Sequence, residues 1–352
     1  MAHVATITID HTKVPGDLTD YVGLIVPDAS AGYSALYALC LEGGGDIRLF
    51  KSDDTTELAR EIVTFSVTDE TGEIHYRYAG TLSSSVDTDI HVYADGSSSD
   101  YAVGATYGRN AVWADYSAVW HLSMASGNSP DSTGNSNTGT SNGNPVYGDT
   151  TFFADGVDLD GNDYFLSADS NELDLTGAFT VSTWAKHDGT GGSEYLVSKG
   201  EGVASLSQSL ALFYKVGSGS LRTILRTGGG AQNLITGSTN VGTSAYMAHF
   251  TKNGSNQLDL YLNGASDAST VSGATQSPSD TTSMAVGAFN TGASGVDGQM
   301  CETRVLKGTG LSANHIATEY NNQNSYITFY SVAAVAGGSA AQAARRGVVM
   351  MM

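Results

Sequence analysis

The sequence predicts an all-β protein, and two observations carry the prediction. Apolar residues recur at every second position in short runs, as in Val157 and Leu159 and then Phe179 and Val181, while Asp158, Asp160, Thr180 and Ser182 alternate with them and face outward. Glycine is frequent at 43, proline is scarce at 5, and Ser, Thr and Asp interrupt the apolar runs. That is the composition of many short strands joined by tight turns. With 352 residues the chain has room for two ordinary domains or one large β-sandwich, so core burial is not limiting.

Charge and composition narrow the function classes. A formal net charge of -20, from 16 basic and 36 acidic residues, repels phosphate backbones and anionic membrane surfaces, so neither nucleic acid nor a lipid headgroup layer is expected as a partner. No apolar run approaches the ~20 residues needed to span a bilayer, so no membrane insertion is expected. Cys40 and Cys301 lie far apart and read as buried small hydrophobes rather than a disulfide or a zinc knuckle. The N-terminus, MAHVATITIDHTKV, begins directly as a strand without the basic and apolar regions of a secretion signal. The protein is therefore expected to leave its cell by another route, such as a virus particle released by lysis, or to have lost its signal.

From Ala2 to about Tyr107 six strands are expected: AHVATITID, DYVGLIVP, DIRLF, EIVTFSV, EIHYRYA and DIHVYA, separated by turn residues. The order ITIDHTKVPGDLTDYVGLIV, DIRLFKSDDTTELAREI and TGEIHYRYAGTLSSSVDTDIHVYAD resembles a domain of unknown function common in bacterial and phage surface proteins, where it often precedes a concanavalin-like module. That resemblance implies an architecture and no chemistry. The chain departs from it at LCLEGGG, where Gly43 to Gly45 loosen the turn before DIRLF. Residues 108–118 form a linker. Trp113 and Trp120 flank it and read as core or interface aromatics, because Trp is highly buried on average.

The next stretch contains DGNDYF, LDLTGAFTVSTWAK and YLVSKG, which resemble the laminin-G-like members of the concanavalin A-like lectin and glucanase superfamily. The resemblance implies that residues 119–332 form a two-sheet jelly roll, usually a glycan-binding or protein-binding module. The whole is then two antiparallel β-sandwich domains, 1–107 and 119–332. Near the end, LSANHIATEYNNQ reads as a short helix with Ser312 as N-cap and Ile316, Glu319 and Tyr320 at helical spacing. It resembles the terminal helix of the same family. Residues 333–352 change composition to Ala, Gly and Met. Such an end is either flexible or a docking tail, in which Arg345, Arg346, Val348, Val349 and Met350 would attach to other virion proteins or to further copies of the chain.

Few motifs carry chemistry. Glycoside hydrolysis needs two carboxylates on one face, and the Glu-x-Asp-x-x-Glu run that a glucanase resemblance would show is missing. Asp158, Asp160 and Asp163 read as turn carboxylates. There is no Gly-x-Ser-x-Gly elbow in a strand-to-helix context. The eight histidines are scattered singly, without an HExxH or HxH pair, so zinc is not expected. Gly228 to Gly230 lack the lysine and helix of a phosphate loop and read as a hairpin turn.

Calcium is the one cofactor expected. The loop PDSTGNSNTGT resembles the family's calcium-associated loop, which implies Asp131, Asn135 and Asn137 as ligands, with Glu302 of GQMCETRV as their partner. Cys301 stands where the family commonly has Asp, and Asp131 serves equally well as a turn cap. Glycan recognition needs an aromatic platform beside planar polar groups, for which Trp184, Tyr195, Phe213 and Tyr214 are candidates, each with a competing role in the core. The resulting expectation is a non-enzymatic virion surface protein, a phage tail, fibre or capsid decoration, whose lectin-like domain adheres to surface glycans. The alternatives are a secreted or cell-surface bacterial adhesin and a glycan hydrolase.

Overall fold

The computed structural model of the chain describes residues 1–189, 192–200, 210–215, 217, 219–226, 232–271, 281–289 and 292–335, with only the backbone described at 31, 210–215, 226 and 232. The fold is all-β, as the sequence predicts, and divides into two compact units. The first comprises Met1–Ala114 together with Ala317–Met352, the second Asp115–Ile316. Among the described residues no helix is long and apolar enough to cross a membrane.

The first unit starts with β1 (Ala2–Ile9), β2 (Leu18–Ile25), the helix α1 (Ser34–Leu39), β3 (Arg48–Lys51), β4 (Glu57–Ser66), β5 (Thr71–Leu82), β6 (Thr88–Ala94) and the helical turn α2 (Arg109–Val112). The six strands are those the alternation predicts. The helix α1 was not anticipated; it buries Ala35, Leu36 and Tyr37 on one side. Ile7, Ile9, Leu49, Ile74, Tyr76, Ile90 and Val92 meet in one core. Each such side chain contributes about 1.5–3 kcal/mol through its removal from water. Trp113 is fastened within this unit, its Nε1 donating to Glu61 at 2.5 Å and its ring lying 5.2 Å from His75.

The second unit contains β7 (Ala118–Trp120), β8 (Gly139–Asn142), β9 (Val146–Asp149), β10 (Gly156–Asp160), β11 (Tyr164–Ser167), β12 (Phe179–His187), β13 (Glu194–Lys199), β14 (Leu210–Lys215), β15 (Ser220–Arg226), β16 (Gln232–Asn240), β17 (Tyr246–Lys252), β18 (Gln257–Leu262), β19 (Ala265–Val271), β20 (Met284–Val286) and β21 (Asp297–Lys307). They form two antiparallel sheets. One runs β19-β18-β17-β12-β21-β10-β9 with β7 beside β21; the other runs β16-β15-β14-β13-β20-β11-β8. Val157, Leu159, Phe179, Val181 and Phe250 from the first sheet pack with Phe165, Leu196, Val197, Leu225 and Val286 from the second. Two sheets sharing one interior is the sandwich that two-residue alternation requires. Trp120 lies in this core and donates from Nε1 to the Asn137 carbonyl at 2.8 Å.

The chain then returns through α3 (Ala313–Asn324) and α4 (Tyr326–Phe329) to β22 (Tyr330–Ala334). Ser312 caps α3 through a bond from the His315 N–H to its Oγ. Here the structure differs from the division expected at residue 332. β22 pairs antiparallel with β1, from Ala5 opposite Ala334 to Ile9 opposite Tyr330, so residues 330–334 are a sheet strand of the first unit. The Asn322 amide accepts from the Leu24 N–H at 2.7 Å and donates to the Leu24 carbonyl at 2.9 Å, which ties the helix to the backbone of β2. The Tyr330 hydroxyl accepts from the Val26 N–H at 2.8 Å. Arg345, Arg346, Val348, Val349 and Met350, and Gly228 to Gly230, lie outside the described residues.

Candidate functional site

Binding of a polar ligand needs groups that leave the core and converge on one surface. In the first sheet of the second unit, Val157 and Leu159 of β10, Ala185 of β12 and Met300 of β21 face the core. Their neighbours Asp158, Trp184, Lys186 and Gln299 therefore face outward. Register places three of them in a row across adjacent strands, Lys186 opposite Gln299 and Gln299 opposite Asp158. Lys186 Nζ donates to Gln299 Oε1 at 2.9 Å, and Gln299 Nε2 donates to Asp158 Oδ1 at 2.7 Å and to Asp188 Oδ1 at 3.3 Å. Lys186 also lies 3.8 Å from Asp188. Gly298, at φ +144, lets β21 come this close to β12, since a Cβ there would collide with the Lys186 carbonyl oxygen.

Aromatic rings adjoin the row. Trp184 stands two residues before Lys186 on the same face, with Phe152 and Phe153 at 6.0 and 5.9 Å from its ring. Trp184 itself is 4 % exposed, so its ring is covered by the half-buried phenylalanines instead of lying open as a platform. The combination is a low aromatic shelf beside an ammonium, an amide and two carboxylates, all fixed by cross-strand bonds. Lys186 and Asp188 keep about a third and a half of their side-chain surface, 33% and 48%, in solvent.

Tyr195 lies elsewhere, on the outward face of the second sheet. It packs edge-on against Phe289 at 5.1 Å and joins Ile224 in a small apolar cluster. Tyr214 is opposite Tyr195 in register, but its side chain and that of Phe213 lie outside the described residues. Trp184 and Tyr195 therefore belong to different sheets and do not form one site.

The four residues expected to hold calcium do not fit that ion. Asp131 is 5 % exposed, and its carboxylate is consumed by donors: Oδ1 accepts from the N–H groups of Val119 (3.1 Å) and Thr133 (2.9 Å), and Oδ2 from the Thr133 hydroxyl (2.8 Å) and the Asn137 N–H (2.8 Å). A calcium ligand must present bare oxygen lone pairs to the ion. Asn135 turns its amide nitrogen to the carbonyls of Tyr116 and Ser117, and Asn137 spans Ser117 and Ser170. Glu302 is fully buried and engaged by other partners. Its Oε1 meets His121 Nδ1, and its Oε2 accepts from Arg304 Nε at 2.9 Å and Nη2 at 2.5 Å. Glu302 sits at φ +50 where β21 carries one more residue than β12 between Ser182 and Trp184, a bulge that re-aims its side chain. The loop resembles an ion site in wording and is a turn cap in use.

Two further polar constellations are structural braces. His187 of β12 bonds Glu194 of β13 through Nδ1 at 2.5 Å and Tyr246 of β17 through Nε2 at 2.6 Å, which links the two sheets. All three side chains are buried, with His187 at 0 % exposure, so no substrate reaches the imidazole. Lys199, equally buried, donates to Asp169 at 2.7 Å and to the Thr282 carbonyl at 2.8 Å. Asp163 accepts from the Asn144 N–H at 2.6 Å and Asp160 from the Asn162 N–H at 2.9 Å, as expected of turn carboxylates.

Comparison with known proteins bears on the second unit. A family model described as the concanavalin A-like lectin/glucanases superfamily matches residues 159–317. Among curated proteins none matches the chain in sequence. Solved structures similar to it include the binding domain of Paraclostridial Mosquitocidal Protein 1, at 12% identity and TM-score 0.47 over 59% of this chain and 52% of that one. Domain 4 of AbnA, an extracellular arabinanase from Geobacillus stearothermophilus in complex with arabinotriose, gives 16% identity and TM-score 0.45 over 58% and 97%. A carbohydrate-binding module of the Ruminococcus gnavus IT-sialidase bound to sialyllactose gives 18% identity and TM-score 0.36 over 41% and 82%. The chain spans about half the length of the first of these structures.

The sequence offered Trp184 as an open aromatic platform, whereas its ring is covered, and it did not single out Lys186, Gln299 or Asp188 beside it. The signal within reach was Lys186 itself, two residues beyond Trp184 and so on the same strand face. Gln299 is separated from it by 113 positions and joins it only through strand pairing.

Proposed function

We propose that this chain is a non-catalytic surface-recognition protein whose second unit binds glycan on the outward face of β10, β12 and β21. The observation that carries this reading is the fixed row Lys186–Gln299–Asp158, with Asp188 at its end and the Phe152, Phe153 and Trp184 rings alongside. Sugar hydroxyls donate and accept at once. An ammonium, an amide and two carboxylates held in a row match vicinal hydroxyls, and an aromatic edge covers the apolar face of a pyranose. The superfamily match over residues 159–317 supports the same reading, since lectins share that fold. The setting is a glycan-bearing surface, met from a virion or from a bacterial cell.

Binding is favoured over hydrolysis because the sequence lacks the Glu-x-Asp-x-x-Glu run by which a glucanase would present its two carboxylates on one strand face. The test is a glycan array probed with the full chain, followed by sugar-release assays on every retained glycan. Retention without release, lost in Lys186→Ala, is the expected result. Release of sugar, or retention indifferent to Lys186→Ala, would overturn the proposal.

A further inference from the structure

The scattered histidines of the sequence are not all scattered in space. β1 and β6 pair so that His3 lies opposite Tyr93 and Thr6 opposite His91, and β3 on the far side of β6 leads into the turn that carries Asp54. The His3 ring stacks on His91 at a centroid distance of 4.3 Å and on Tyr93 at 5.0 Å. One ligand atom from each of His3, Asp54 and His91 falls within 4.8 Å of the other two. Two imidazole nitrogens and a carboxylate oxygen, from β1, β6 and the turn after β3, therefore lie within 4.8 Å of one another.

We propose that His3, His91 and Asp54 form a binding site for a divalent transition cation of the zinc class on the surface of the first unit. The donor set suits that class, because imidazole nitrogen with one carboxylate fits zinc, nickel or copper better than the all-oxygen demand of calcium. The supporting contacts are those that orient metal ligands. His3 Nε2 lies 3.0 Å from the Ala5 carbonyl, which leaves Nδ1 with the lone pair when Nε2 donates there. The Tyr93 hydroxyl donates to Asp54 Oδ1 at 2.8 Å and fixes that carboxylate. Asp54 takes the left-handed φ of +57 in its turn, a conformation Asp tolerates better than most residues, and its carboxylate thereby reaches His91 Nδ1 at 2.5 Å. Asp54 is half exposed and His91 partly so, which gives the ion a path from solvent and leaves room for water to complete its coordination. The net charge of -20 raises the local concentration of any cation.

The site is tested on the full chain by isothermal titration with zinc chloride in a non-chelating buffer, with cobalt absorption as a second readout of nitrogen ligation. One saturable site is expected. His3→Gln and His91→Gln should each weaken zinc binding by at least about tenfold, the scale at which even outer-shell changes act. His315→Gln should leave it unchanged, because His315 lies on α3 and belongs to none of the three elements that bring these ligands together. Circular dichroism and the melting temperature check that each variant folds, and if either His variant does not, Asp54→Asn on its exposed turn decides in its place. Absence of a saturable site in the unaltered protein would overturn the proposal. So would affinity that survives in His91→Gln and His3→Gln, or in Asp54→Asn where a His variant does not fold.

Discussion

Asp131 shows how one residue type serves two ends. Its carboxylate accepts four hydrogen bonds from its own loop and from β7, and the loop between residues 131 and 137 is wound around it. Replacing it with Ala strands three backbone N–H groups in a buried setting, which should cost about 3–5 kcal/mol. Asp131→Ala should therefore lower the melting temperature of the second unit by roughly 10 °C. Added calcium should shift the melt of neither the variant nor the unaltered protein, and a calcium-dependent melt would refute the turn-cap role. The two cysteines give a second check at this scale. Neither forms a disulfide and both are buried, and burial, with the nearby Asp46 carboxylate, pushes the Cys40 thiol up to about 12. A thiol with so high a value is protonated and inert at pH 8. A thiol reagent should find no reactive group in the native protein and two after denaturation; rapid labelling before denaturation would contradict this.

At the scale of elements, β22 carries the largest correction to the sequence. Phe329 is fully buried and Tyr330 nearly so, and β22 covers the edge of β1. A chain ending at residue 325 loses both aromatics and the bond from the Val26 N–H, and should be destabilised in the first unit by more than about 5 kcal/mol. A chain ending at residue 335 keeps the whole strand and should melt well above the chain ending at residue 325. Equal melting of the two truncations would contradict the role of β22. The six strands between residues 2 and 94 were legible because each has its own period of two and its own turn residues. β22 was not, because YSVAA acquires its meaning from a partner more than three hundred residues away. α1 was hidden for a related reason, a six-residue stretch being too short to show a helical period.

For the molecule as a whole, the sequence was informative about the scaffold of the site and silent about its register. The fold class follows from alternation and turn composition, the sandwich of the second unit was what the family resemblance implied, and Trp184 was a candidate only for its aromatic ring. The partnership of Lys186, Gln299 and Asp158 follows only from which strands lie side by side, β12, β21 and β10. The same holds for His3 and His91, which looked unrelated until β1 and β6 placed them together. The central claim is that glycan binds on the outward face of the first sheet of the second unit. The most direct measurement is calorimetric affinity for the oligosaccharide best retained on an array, taken for the unaltered chain, Gln299→Ala and Tyr195→Ala. Gln299→Ala should weaken binding by at least about tenfold, equivalent to ~1.4 kcal/mol, while Tyr195→Ala on the other sheet leaves it unchanged. Undiminished binding in Gln299→Ala, or its loss in a folded Tyr195→Ala protein, would contradict the claim.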